Sequence, residues 1–262
     1  MYDLNIGDFV VRKSYNKDIL FEITSKKDNI CYLKGLNARI FADAYISDLI
    51  KEENYNQYLE QLDTRGEFIS NIFSSIFTEY RVNDRAYNYG KILHVDGDDR
   101  YARKSLEYYK KNNLPCTVYS ISEEKQPKYL RQLIYKDKPD IVVVTGHDCL
   151  FKNRSAKNIS NYKNSKYFKE CIIEARKVEP SRNKLAIFAG ACQSYYEELI
   201  SHGANFASSP GRILIDFFDP LVVAQMLSIT NNRMIVGMGS IVDKIKGGYR
   251  GVNGIPTYGK AQ

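Results

Sequence analysis

Residues 140–148 read DIVVVTGHD, and residues 184–192 read KLAIFAGAC. Each stretch contains an apolar run of strand length and then a glycine, with His147 after the first glycine and Cys192 shortly after the second. Near-continuous apolar strands between helices are typical of a parallel sheet that is covered on both faces. Ligands of such a sheet bind beyond the carboxyl ends of its strands. The two stretches therefore predict an α/β fold with a reactive edge at His147 and Cys192.

The same alternation of strands and helices extends on both sides of this pair. Its pattern predicts a three-layer α/β/α sandwich with a mostly parallel sheet over residues 90–262. The predicted strands are 91–95, 115–121, 140–145 and 184–189, with shorter ones near Phe206 and at 233–236. The predicted helices are 101–111, 128–135, 162–178, 193–201 and 217–227. The glycine-rich tail from Gly237 is expected to be loop-like or mobile.

The first 50 residues have a different pattern. Short runs rich in β-branched and aromatic residues, FVVR, ILFEI and ICYL, are separated by turn residues such as NKD and KDN. This pattern predicts a small β-barrel of SH3-like size over residues 1–50. Residues 51–89 are predicted to be a helical connector, because Tyr55, Tyr58, Leu59 and Leu62 follow helical spacing.

The composition excludes several classes of protein. The chain has 262 residues, of which 44% are hydrophobic and 26% charged, as expected for an ordinary globular protein. Its net charge of +7 is spread along the sequence, and the basic clusters at 152–154 and 244–250 are short, so nucleic-acid binding is not favoured. No signal peptide is recognisable, and no apolar stretch approaches the roughly 20 residues that span a bilayer.

The five cysteines indicate free thiols. They form no close CxxC pair, which argues against a zinc knuckle and a disulfide framework. Free thiols suit a reducing compartment, and the expected location is the cytosol. Neither a metal nor an organic cofactor is expected to take part in the chemistry.

His147 and Cys192 together suggest nucleophilic catalysis. A thiol attacks as the thiolate, and an imidazole can take its proton and later return it to a leaving amine. Cys192 is predicted to precede a helix, whose N-terminus would favour the thiolate. The N–H of Cys192 and a second donor from the His147 loop, at Asp148, are the expected oxyanion donors.

Other residues compete for these roles. Isolated cysteines are more often small core residues. Cys149 is the one serious rival nucleophile because it lies two residues from His147. His94 stands inside an apolar strand and is expected to be packed. The remaining candidates are expected to be structural: His202 near a helix end, and Cys31, Cys116 and Cys171 within predicted elements.

The acidic segment Asp96-Gly97-Asp98 has three interpretations. Two carboxylates after an apolar strand resemble the DxD motif of haloacid-dehalogenase phosphatases, although the usual neighbouring threonine is absent. In a peptidase the same carboxylates would line a pocket for a basic side chain. The third interpretation is an N-terminal helix cap. A non-catalytic scaffold, built on the barrel and the basic surface, is a further alternative for the whole chain.

Three blocks of the sequence resemble the YabG family of sporulation-specific proteases. They are IGDFVVRKSYNKDILFEI at 6–23, DIVVVTGHD at 140–148, and AIFAGACQSYYEELISHGANFASSP at 186–210, which is followed by Asp219-Pro220. The last block is the most specific. The arrangement is also similar to that of the caspase, gingipain and clostripain clan. That clan has glycine directly after its histidine, whereas here Gly146 precedes His147 and Asp148 follows it.

The resemblance implies a cysteine protease of the mother cell that processes spore coat and spore-assembly proteins and cleaves after arginine. The catalytic histidine and cysteine of the family fall on His147 and Cys192. By analogy with arginine-specific members of the clan, Asp96 is the first candidate for the arginine pocket and Asp98 the second. The expected partners are protein substrates. The oligomeric state and self-processing are left open.

Overall fold

The computed structural model describes residues 4–55, 78–82 and 88–262. Much of the predicted helical connector, at 56–77 and 83–87, lies outside the described residues. Within the same interval Thr78–Val82 is a β-strand. It pairs with a strand of the main sheet.

An antiparallel sheet forms the N-terminal part of the chain. Its strands are β1 Phe9–Arg12, β2 Leu20–Lys27, β3 Ile30–Gly35, β4 Phe41–Tyr45 and β5 Leu49–Lys51. They are ordered β4-β3-β2-β1-β5. The alternating side chains Phe21, Ile23 and Leu33 are fully buried, which is typical of a sheet with one covered face. The antiparallel strands are confirmed, and the SH3-like barrel stays a prediction.

The main sheet is mixed and mostly parallel, as predicted. Its strands are β6 Thr78–Val82, β7 Ile92–Asp96, β8 Cys116–Ser120, β9 Ile141–Thr145, β10 Ala186–Ala189, β11 Phe206–Ser208 and β13 Val252–Gly254. The order is β13-β11-β10-β9-β7-β8-β6. The five central strands are parallel, and the two edge strands are antiparallel to their neighbours. The α/β class is therefore confirmed, and the caspase-like arrangement stays a prediction.

Helices cover both faces of this sheet. They are α1 Asp99–Lys111, α2 Gln126–Asp137, α3 Ser165–Val178, α4 Tyr196–Ser201, α5 Asp219–Ile229, α6 Met238–Ile241 and α7 Gly248–Gly251. One apolar cluster joins α1 and α5 to the sheet, and a second joins α2, α3 and α4 to the opposite face. No helix in the described ranges combines the length and the apolar composition that a membrane crossing requires.

The C-terminal tail is ordered, and its predicted loop-like character is wrong. β12 Ile235–Val236 pairs with β14 Thr257–Tyr258, and β13 pairs antiparallel with β11. Gly254 fits this edge because a Cβ there would lie 2.2 Å from the carbonyl oxygen of Asn205. The glycines of the tail therefore permit close packing in this region, which their frequency alone did not reveal.

Candidate active site

The loops that carry His147 and Cys192 follow neighbouring parallel strands. Ala189, at the end of β10, is paired with Val144 near the end of β9. Because both strands run in the same direction, the two loops leave the sheet at the same edge. The sequence prediction that these loops are neighbours is correct.

The Asp148 side chain ties the two loops together. One carboxylate oxygen accepts hydrogen bonds from the hydroxyls of Ser165, at 2.5 Å, and Ser194, at 2.8 Å. The other accepts from the backbone N–H groups of Cys149, at 2.9 Å, and Asn164, at 2.7 Å. Burial raises the pKa of Asp148 to about 6 against the lowering effect of these bonds. An oxyanion donor at this position would have to be its backbone N–H, because the side chain faces these four donors.

His147 is fully buried. Its Nε2 lies 3.2 Å from the carbonyl oxygen of Gly35 in the N-terminal sheet, and its ring packs against Phe41 and Tyr101 at centroid distances of 5.5 and 5.7 Å. Burial lowers the pKa of His147 to about 4, although nearby carboxylates such as Asp98 raise it. The imidazole is therefore neutral at pH 7, the form that accepts a proton.

Glu123 binds the backbone of the His147 loop. Its Oε1 accepts the His147 N–H at 2.6 Å and lies 4.0 Å from the ring Nδ1. A Cβ at Gly97 or Gly146 would come within 2.2 or 2.3 Å of Glu123, so both glycines make room for this side chain. Burial raises the pKa of Glu123 to about 7.

Cys192 is also fully buried, and its sulfur has backbone partners. The Ile215 N–H donates to Sγ at 3.4 Å. Burial raises the pKa of the Cys192 thiol to about 11, while the hydrogen bond from Ile215 and the positive charge of Arg39 lower it. The expected helix N-terminus is wrong: the helix after Cys192 begins at Tyr196 and has six residues. The intervening turn, with Gln193 at φ +58°, separates the thiol from that helix.

The N-terminal sheet covers this part of the molecule. Cys192, Cys149 and Ile215 share an apolar cluster with Leu33 of β3 and with Ile40, which lies just before β4. The reactive edge predicted at Cys192 is therefore covered in this structure. Movement of the N-terminal segment would be needed for a peptide to reach Cys192.

The competing residues are packed or hydrogen-bonded to their neighbours. Cys149 is buried, and burial raises the pKa of its thiol well above the usual range. His94 is packed, as predicted: Nδ1 lies 3.0 Å from the Tyr109 hydroxyl and Nε2 lies 2.7 Å from Thr145 Oγ1. His202 lies near the end of α4, where its Nδ1 is 2.8 Å from the Glu198 carbonyl oxygen.

Asp96 and Asp98 each face a cation of the N-terminal sheet region. Asp96 is fully buried and lies 3.3 Å from Arg39 Nη1, whereas Asp98 lies 2.6 Å from Lys34 Nζ. Burial raises the pKa of Asp96, but Arg39, His94 and Thr145 outweigh it and hold the pKa well below its usual range. Asp98 also caps α1 by accepting the Arg100 N–H at 3.0 Å, so the capping interpretation is correct for this residue.

The surroundings of these carboxylates do not favour the phosphatase alternative. A magnesium-dependent phosphatase needs carboxylates that are available to the metal. Here cationic side chains already neutralise Asp96 and Asp98. Within the described part of the chain, no three histidine, cysteine, aspartate or glutamate residues are grouped so that they could hold a metal ion.

A surface cleft adjoins the covered site. Its volume is about 1150 Å³. Its walls include Ala38 and Arg39 from the N-terminal sheet region, Tyr101 from α1, and Ile215 and Phe217 from the segment before α5. The cleft therefore leads from the surface to residues that surround Asp96 and Cys192.

Several residues of the site were missed in the sequence. Glu123 lies three residues after the end of β8, and the strand-end rule applied to that strand would have found it. Arg39, Tyr101 and Phe217 carry no comparable signal. They come from three separate segments, and tertiary packing brings them together.

The chain resembles known proteins over nearly its whole length. The family model described as YabG peptidase U57 matches residues 5–262. The sporulation-specific protease YabG of Bacillus subtilis (strain 168) is 36% identical over 276 residues, and the alignment covers 97% of this chain and 95% of that protein. These similarities extend over both the N-terminal sheet and the α/β part.

Proposed function

Because the chain belongs to the YabG peptidase U57 family, we propose that it is a sporulation-specific cysteine endopeptidase with Cys192 as nucleophile and His147 as general base. The observation that carries this assignment is the Asp148–Ser194 hydrogen bond of 2.8 Å, which holds the loops of both residues at one sheet edge. A neutral His147 is the form that a general base requires.

The reaction is peptide-bond hydrolysis through a thioester. His147 takes the thiol proton of Cys192 as the sulfur attacks the carbonyl carbon of the peptide bond. The carbon–nitrogen bond then breaks, and the imidazolium gives its proton to the leaving amine. Water, deprotonated by the same imidazole, attacks the thioester, releases the new carboxyl end and restores the thiol.

Two backbone donors are assigned to the oxyanion. The N–H of Cys192 is the first, and the second comes from the His147 loop at Asp148. Fixed backbone donors stabilise the negative charge that develops on the carbonyl oxygen. The hydrogen bonds of the Asp148 carboxylate support this role, because they hold the loop in one conformation.

The preferred substrate residue before the cleaved bond is arginine. Asp96 is the first candidate for its binding and Asp98 the second. A buried carboxylate is a suitable partner for a guanidinium, with which it forms charge-assisted hydrogen bonds. The nearness of Arg39 to Asp96 supports the first choice, since a guanidinium already lies there.

The proposed location of the enzyme is the mother cell of a sporulating bacterium, where it processes spore coat and spore-assembly proteins. The printed name of the Bacillus subtilis relative supports the sporulation role. The proposed place of action is the cytoplasm, in association with the forming coat. The caspase-like arrangement of the catalytic part belongs to the same proposal.

The test compares two cysteines in the same neighbourhood. Cys192→Ala and His147→Ala should each abolish cleavage of an unstructured protein that contains arginine, whereas Cys149→Ala should keep it. Mass spectrometry of the products should place the new carboxyl ends after arginine. Full activity of Cys192→Ala would overturn the proposal.

Two outcomes of this test would indicate the alternatives. A phosphatase would be indicated by an activity that releases phosphate and that a chelator or Asp96→Asn abolishes. Alkylation of the thiols should leave that activity unchanged. Absence of any cleavage together with normal spore assembly in the Cys192→Ala and His147→Ala strains would indicate a scaffold.

A further inference from the structure

Arg39 is among the largest fully buried side chains of the described residues. Its guanidinium lies 3.3 Å from the Asp96 carboxylate. The rings of Tyr101 and Phe217 also contact this guanidinium. Their centroids lie 4.8 and 4.9 Å from Arg39 Cζ. A carboxylate with aromatic rings is the set of partners that a planar guanidinium prefers.

This arginine belongs to the N-terminal sheet region, whereas its partners belong to the α/β part. It lies in the loop between β3 and β4, and the chain on both sides of it contacts the His147 loop. The Gly35 carbonyl oxygen is 3.2 Å from His147 Nε2. The Phe41 N–H donates to the Asp148 carbonyl oxygen at 3.2 Å, and Ile40 forms a parallel bridge with Asp148.

The residues on either side of Arg39 pack near the proposed nucleophile. Ile40 is in the same apolar cluster as Cys192, and Ala38 packs against that cluster. The segment around Arg39 therefore lies near Cys192, and the Arg39 guanidinium lies at Asp96. A substrate arginine before the cleaved bond would need its main chain and its guanidinium in the same two places.

Arg39 is held by charge and ring contacts without good hydrogen bonds. Its Nε, Nη1 and Nη2 atoms are buried, and none has a hydrogen-bond partner among the residues that the structure describes. Buried donors without partners are costly, so this is an imperfect fit for a permanent structural arginine. The adjoining cleft, with Tyr101 and Phe217 in its walls, gives another arginine a route towards the same position.

We propose that Asp96, Tyr101 and Phe217 form the pocket for the substrate arginine and that Arg39 occupies it in this structure as an internal competitor, which the substrate displaces. The inference rests on the proposed function and adds the two aromatic residues that select arginine, together with the segment that closes the site. It explains why the thiol and the imidazole are both covered, since the occupant brings residues 35–41 over them.

The direct test measures binding in chains that lack the nucleophile. N-acetyl-arginine amide is titrated calorimetrically into Cys192→Ala, into Arg39→Ala/Cys192→Ala, and into Arg12→Ala/Cys192→Ala as the matched control from the same sheet. The double variant Arg39→Ala/Cys192→Ala should bind N-acetyl-arginine amide, the blocked arginine, at least about tenfold more tightly than Cys192→Ala does, because the internal competitor is absent. The Arg12 control should bind as Cys192→Ala does.

Further variants examine the pocket itself. In the Arg39→Ala/Cys192→Ala chain, Phe217→Leu should weaken binding of the blocked arginine about tenfold and reduce the preference for it over N-acetyl-lysine amide, because a lysine ammonium stacks less well on rings. Asp96→Asn should weaken the binding of both ligands. Equal affinities for the blocked arginine in the Phe217→Leu chain and its parent would show that Phe217 is not part of the pocket.

Two results would overturn the proposal. One is a folded Arg39→Ala chain that binds the blocked arginine no better than its parent. The other is loss of folding in both Arg39→Ala and the similarly long Arg39→Met, since it would show that Arg39 is a structural residue and not a displaceable one. These readouts need no catalysis, so full activity of Cys192→Ala would refute the proposed function and leave the pocket result standing.

Discussion

The carboxylate of Asp148 accepts a hydrogen bond of 2.8 Å from the hydroxyl of Ser194. Asp148 directly follows His147, and Ser194 is two residues after Cys192. This one contact therefore joins the loops that carry the proposed base and the proposed nucleophile. Ser194 also accepts the Ala191 N–H at 2.9 Å, so its hydroxyl holds the turn around Cys192 as well.

Replacement of this serine should affect both stability and activity. Ser194→Ala leaves a buried carboxylate oxygen and a buried N–H each without one partner, which is expected to cost about 1–3 kcal/mol of the free energy of unfolding. The activity should fall because the two loops lose their common anchor. Urea unfolding and the kcat/KM for an arginine-containing peptide would measure the two effects.

Ser201→Ala is the matched control for Ser194→Ala. Ser201 is exposed near the end of α4, where its hydroxyl donates to the Glu198 carbonyl oxygen at 3.1 Å. Its replacement should change stability by less than about 0.5 kcal/mol. Equal effects of the two substitutions would contradict an anchoring role for Ser194.

Gly146 should not tolerate a side chain. A Cβ at this position would lie 2.3 Å from Glu123 Oε1, so Gly146→Ala must displace a buried side chain that accepts the His147 N–H. The expected cost is about 1–3 kcal/mol in stability, as for other overpacked sites, together with a loss of activity. Thermal unfolding and peptide cleavage would show both changes.

Gly239→Ala provides the comparison for Gly146→Ala. No atom lies within 4 Å of a Cβ built at Gly239, which is in the short helix α6. Alanine has the higher helix propensity, so this variant should be as stable as the parent or slightly more stable. A Gly146→Ala chain that unfolds like Gly239→Ala would rule out the close packing of Glu123.

Glu123 should make stability depend on pH. Burial raises its pKa from 4.5 in the unfolded chain to about 7 in the folded one. Because the folded state holds the proton more tightly, the stabilisation is fully present below pH 4.5 and is lost as the pH rises through 7. The loss would amount to about 3 kcal/mol if the whole shift is realised.

Glu123→Gln removes this titration and keeps an oxygen that can accept the His147 N–H. Relative to the parent, the variant should therefore gain stability between pH 5 and pH 8 in urea unfolding. Glu124→Gln, at the exposed neighbouring position, should show no such trend. A constant difference between parent and Glu123→Gln over this pH range would contradict the raised pKa.

The Cys192 thiol should react slowly while the N-terminal segment covers it. Burial raises its pKa to about 11, and the thiolate fraction at pH 8 is therefore small. Alkylation by iodoacetamide should be at least about 100-fold slower than in the urea-unfolded chain, where a thiol has a pKa of about 8.5. Peptide mapping by mass spectrometry would follow this one cysteine, and equal rates in the two states would show that the thiol is open.

The fold of the α/β part was largely predictable. Apolar runs at β7, β8, β9 and β10 alternate with helices, and strand periodicity is a local property of the sequence. The C-terminal tail was not predictable in this way. Its glycines allow close backbone contacts with segments far away in the sequence, such as that of Gly254 with Asn205.

The sequence by itself determined the α/β class, the antiparallel N-terminal strands and the meeting of the His147 and Cys192 loops at one sheet edge, because these depend on local periodicity and on the direction of parallel strands. Only the tertiary structure decided that Arg39 reaches Asp96 and that residues 35–41 cover the thiol. Such contacts join segments that are distant along the chain. No local pattern encodes them, because they arise only when the two sheets pack against each other.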